Sequence, residues 1–143
     1  MADDRTQAPM AKNVVLWAIA AEPLFLAAIA YALVRFGAPH HIESRSAGDT
    51  LLVIFAAGAL AGMWASFQFA SDRFAPKSET LTADRLHVPF GHQIVAVALA
   101  AMPGVLGFVH FLLCGIGWVL LLFNLGAFAL AARHIVSFVG ELD

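Results

Sequence analysis

Glu22 is the acidic residue that lies deepest in an apolar stretch of this chain, with Ala20-Ala21 before it and Pro23-Leu24-Phe25 after it. An ionised carboxylate in hydrocarbon costs at least about 2.5–3.5 kcal/mol, so the group must be neutral, paired or put to use. As a proton-binding candidate, it would take up and release a proton. As a structural acid, it would donate to the carbonyl of Ile19, which loses its helical partner because Pro23 has no N–H. The six histidines raise a different chemistry, since two imidazoles from different helices at one depth can hold a haem iron. His92 with His134 is one such pairing, and His110 with His40-His41 is another. Of the six, His110 lies inside an apolar stretch, whereas His40, His41, His87, His92 and His134 fall where apolar segments meet polar ones. With no CxxCH attachment site, a haem here would be of the b type; the first expectation is no cofactor at all. The single cysteine, Cys114, permits neither an intrachain disulfide nor a thiolate metal site. No nucleophile and base pair, phosphate loop or metal cluster points to an enzyme.

The elements that must position these residues follow from composition. Of the 143 residues, 61% are hydrophobic and 13% are charged, about half the charged fraction of a soluble domain. Mean hydropathy is +0.81. A water-soluble fold, a disordered chain and a disulfide-stapled secreted module are therefore excluded. A formal charge of −2 supplies no basic surface for nucleic acid. About 20 apolar residues cross a bilayer as a helix, and the chain holds four such runs, predicting spans over 14–34, 51–70, 93–114 and 116–134. Residues 1–13 precede the first span, 35–50 form an external loop, 71–92 a cytoplasmic loop and 135–143 a cytoplasmic tail. The first run is too long for the core of a cleavable signal peptide, so it is read as a retained span.

Lys and Arg set the orientation. Arg5, Lys12, Arg73, Lys77, Arg85 and Arg133 fall on one side, and Arg35 and Arg45 on the other. Both termini are accordingly expected in the cytoplasm of a cell whose inner, or plasma, membrane holds the protein. The stretches Ala18-Ile19-Ala20-Ala21-Glu22-Pro23 and Ala98-Leu99-Ala100-Ala101-Met102-Pro103 repeat one pattern 80 residues apart. That recurrence predicts two parallel helical hairpins related about an axis along the membrane normal. Gly58, Gly62 and Ser66 are spaced by four on one face of the second span, a small-residue stripe that lets backbones approach in lipid, with Ala59 pointing elsewhere. Pro23, Pro103, Gly104 and Gly107 are further packing candidates. Asn124 is a candidate interhelical donor, and Trp17, Trp64 and Trp118 read as packing or interface anchors.

Ala98-Leu99-Ala100-Ala101-Met102-Pro103-Gly104-Val105-Leu106-Gly107-Phe108-Val109 resembles the second helix of the proteolipid c subunit of rotary ATP synthases. The glycine-rich second span and the basic Arg73-Phe74-Ala75-Pro76 loop resemble that family's first helix and cytoplasmic loop. The likeness covers spans two and three and implies a small-residue helical scaffold. It departs at the ion-binding carboxylate, whose place is taken by Ala101. In the repeat, Glu22 aligns with Met102, one residue and about 100° further round the helix.

The function expected from these residues is a non-catalytic integral membrane subunit, packed in the bilayer against other subunits of a larger complex or copies of itself. The alternatives are a proton-translocating proteolipid using Glu22, and a haem- or quinone-associated anchor of a respiratory or photosynthetic complex.

Overall fold

The structure is a computed structural model that describes residues 4–37, 45–71 and 88–140. These form four helices, α1 (Asp4–Arg35), α2 (Arg45–Ala70), α3 (Phe90–Cys114) and α4 (Gly117–Gly140), with no strand among the described residues. Each contains a stretch long and apolar enough to cross a membrane: Ala11–Arg35, Ala47–Ala70, Phe90–Cys114 and Gly117–Val139. The helices outrun the expected spans because hydropathy marks the hydrocarbon crossing. The hydrogen-bonded ladder continues into polar flanks of good helix formers such as Ala, Gln and Lys.

Gly115 ends α3 in the left-handed region at φ 71°, its N–H donating to the Phe111 carbonyl at 2.8 Å. Glycine alone among the residues adopts that conformation freely. The chain can therefore reverse within two residues, and α3 and α4 form a tight antiparallel hairpin with the largest interface in the molecule.

α3 is the central element, half of its apolar stretch buried, more than in α4 and more than twice the share in α1 or α2. α1 packs on both α3 and α4, while α2 packs on α3. Consecutive as they are, α1 and α2 share no extended interface, so the first two helices do not pack as the expected hairpin. Each outer helix carries one narrow inward stripe, and α3 supplies the complementary surfaces: Gly104 and Gly107 face α1 and α4, while Met102, Leu106 and Cys114 meet α2.

The stripes step alternately by four and three. They run Leu16, Ala20, Pro23, Ala27, Ala30 on α1, and Gly48, Leu52, Phe55, Ala59, Gly62, Ser66 on α2. On α4 the stripe is Leu120, Asn124, Ala127, Ala131, His134, Phe138. A mean step of 3.5 is the period of left-handed knobs-into-holes packing. It corrects the expectation for α2: the buried position beside Gly62 is Ala59, and Gly58 sits half-buried at the seam's edge. Large apolar side chains such as Phe25, Val53, Leu60, Trp64 and Leu122 point outward, as do Trp17 and Trp118. About half of the seam positions are Ala, Gly or Ser while many large apolar side chains face outward, which suits a medium in which close dispersion contact, and not exclusion of water, holds helices together.

Candidate functional site

Pro23 orients the middle of α1. Its ring is buried where α1 crosses α3, so close that a Cβ at Gly104 would stand 2.7 Å from the Pro23 Cβ and 3.2 Å from the Asn124 Oδ1. With Pro23 turned inward, its neighbour Glu22 is rotated about 100° away and lies exposed on the outside of the bundle. Glu22 makes no hydrogen bond or ion pair with a described residue, so the plug on the Ile19 carbonyl is not formed. It sits near the middle of the Ala11–Arg35 span, about 16–20 Å of helix from either end. Ala11, Val15, Ala18, Glu22, Phe25 and Ile29 are all exposed, and their four-three spacing makes a second, outward seam along α1.

The equivalent proline in α3 frees a carbonyl too. Pro103 leaves the Leu99 oxygen without its helical donor, and Gly62 of α2 lies over it, a Cβ there falling 3.4 Å from that oxygen. Such an approach suits a weak Cα–H···O contact. Gly107 is closed in by Phe123, whose Cβ would be 2.5 Å from an added Cβ. Asn124 does not donate between helices. Its Nδ2 donates to the Leu120 carbonyl of its own helix at 2.8 Å, and its buried Oδ1 has no partner.

Among the described residues two histidines are buried, not one. His110 is fully enclosed with neither ring nitrogen hydrogen-bonded, and its ring stands nearly perpendicular to that of Phe55 with centroids 6.1 Å apart. Cys114, one turn further on, lies beside Gly48 at the start of α2. His134, expected at the water boundary, is 3% exposed, with Nε2 3.2 Å from the Ser66 Oγ. Ser66 gives its single hydroxyl proton to the Met63 carbonyl at 2.7 Å, so the imidazole must be the donor, through Nε2–H. Phe67 and Phe138 flank the ring. His92 is half-buried beside Phe69, so the two histidines of the first haem pairing rest on different phenylalanines of α2. His40, His41 and His87 lie outside the described residues. Among the described residues no three His, Cys, Asp or Glu gather to hold a metal ion.

The burial of His134 and the outward turn of Glu22 were missed from sequence alone. The alternation from Leu120 to Phe138 could have found the former, and the inward demand of Pro23 the latter. The chain matches no known protein family, curated protein or solved structure.

Proposed function

We propose that this chain is a non-catalytic subunit of the inner membrane, both termini cytoplasmic, that works by packing against another membrane-embedded chain through the outer face of α1. The observation that carries this is Glu22, exposed at mid-span with no partner among the described residues. Against lipid alone the carboxyl has no group to bond, and a helix laid on α1 would supply one. Ala18, one turn away, leaves room for close approach. The orientation rests on the distribution of Lys and Arg. The repeated motif is consistent with duplicated helices, since Pro23 meets Gly104, the residue after Pro103, and α1 and α3 run the same way through the membrane. The test is purification of the native assembly with mass spectrometry of what accompanies it. A partner chain that is retained by Glu22→Gln and lost from Glu22→Ala is the expected result; a chain that is solitary in both would overturn it.

The same outward carboxyl is compatible with a second function, proton translocation, because a proton carrier must be reachable. Against it stands Ala101, buried at the place of the ion-binding carboxylate in the c-subunit resemblance. Under that alternative Glu22→Gln assembles normally but loses proton-dependent activity. The haem alternative draws on the two unpartnered nitrogens of His110, and a Soret band abolished by His110→Ala would establish it.

A further inference from the structure

We infer that the chain meeting the outer face of α1 is a second copy of this same chain, in a two-fold dimer whose centre is a pair of facing Glu22 carboxyls. The inference rests on the proposed packing role and names its partner. Three observations lead to it.

The first is chemical. A neutral carboxyl carries one donor and one acceptor on adjacent oxygens, so it is complementary to another of itself, two hydrogen bonds closing a ring. A primary amide has the same pairing, one acceptor beside one donor, whereas an apolar side chain has neither.

The second is positional. Copies inserted in one membrane with one topology put residue 22 at the same depth, and an axis along the membrane normal brings the two together without any shift of register. A two-fold contact requires a patch that fits its own image, and about this axis each residue at the centre of the seam faces its own counterpart, Glu22 facing Glu22. Glu22 lies near the middle of Ala11–Arg35.

The third is the shape of the face. Ala11, Val15, Ala18, Glu22, Phe25 and Ile29 are exposed and alternate by four and three, the repeat that lets two parallel helices interlock. Ala18 beside Glu22 allows the backbones to close, and Phe25 on the other side covers the carboxyl pair. This seam is separate from the Leu16, Ala20, Pro23, Ala27, Ala30 stripe used inside the bundle, so both are satisfied together.

The dimer is tested in native membranes with Cys114→Ser chain carrying either Ala18→Cys or Ala28→Cys. Both positions are exposed on α1, but Ala28 lies about 100° round from the outward seam. Oxidation is expected to link chains through position 18 and not through 28, since a disulfide needs Cβ atoms about 3.5–4.5 Å apart. In detergent, Glu22→Gln keeps the dimer because an amide also donates and accepts, whereas Glu22→Ala weakens it about tenfold or more. Glu22 is on the outside, so circular dichroism of Glu22→Ala is expected to match the parent. Equal linking at 18 and 28, or a dimer indifferent to Glu22→Ala, overturns the proposal. If the chain does not self-associate but a different polypeptide is held through Glu22, self-pairing is overturned and the packing role stands. A solitary monomer overturns both.

Discussion

At the scale of single residues the glycines give the sharpest expectations, because what an added Cβ would meet differs so much between them. Gly107 and Gly104 face atoms close to a backbone, the Phe123 Cβ at 2.5 Å and the Pro23 Cβ at 2.7 Å, so Ala at either must push helices apart. We expect a loss of about 1–3 kcal/mol for each. Gly62 faces first the Met102 sulfur at 3.1 Å, the far part of a flexible side chain that can move, so Gly62→Ala is expected to be milder. Gly126 has open space around it, and Ala there should stabilise through helix propensity by up to about 1 kcal/mol. Unfolding in mixed micelles measures all four, and a flat response across them would contradict the packing described. Ser66 and His134 form the buried bond between α2 and α4. A double-mutant cycle with Ser66→Ala and His134→Phe is expected to show a coupling of about 0.6–2 kcal/mol; additivity would mean the bond contributes nothing.

At the scale of elements, the four long helices were legible because length and apolarity decide a membrane crossing with little help from tertiary context. Which face of each helix turns inward was harder to read. Gly58, Gly62 and Ser66 invite a four-residue stripe, but two steps of four drift from a 3.5 seam by one residue, enough to place Ala59 inside and Gly58 at the margin. Leu at Ala59 is therefore expected to disrupt the α2–α3 contact, while Leu at Ala61, which is exposed, leaves it intact. Thermal aggregation of the two variants in detergent separates them, and equal behaviour would return the seam to question. The orientation of Glu22 was hidden for a related reason. A carboxyl beside a proline suggests local repair of the freed carbonyl, yet the proline's own fit against Gly104 decides the rotation of α1, and the carboxyl is carried outward with it.

At the scale of the whole molecule the orientation proposed above, drawn from the distribution of Lys and Arg, has a direct test. A cysteine at Ser46 in a Cys114→Ser chain is expected to react with an impermeant thiol reagent added to intact cells, and one at Ser78, outside the described residues, to react only after the membrane is opened. Equal labelling of both would invert or break the four-span topology. The recurring Ala-Ala-x-Pro pattern was legible in the sequence, but not the packing around it: α1 reaches past α2 to settle on α3 and α4, because α3 offers sides to both α1 and α2.

That absence of an α1–α2 interface bears on how the protein is made. Synthesis proceeds from the N-terminus, so two helices enter the bilayer before either has a partner within its own chain, and they stay apart until α3 emerges between them. A chain cut after Ser71 should then leave two spans that do not hold each other, cleared quickly by quality-control proteases. Supplying residues 88–143 as a separate polypeptide would prolong its lifetime in pulse-chase, since the latecomer is what gathers the rest.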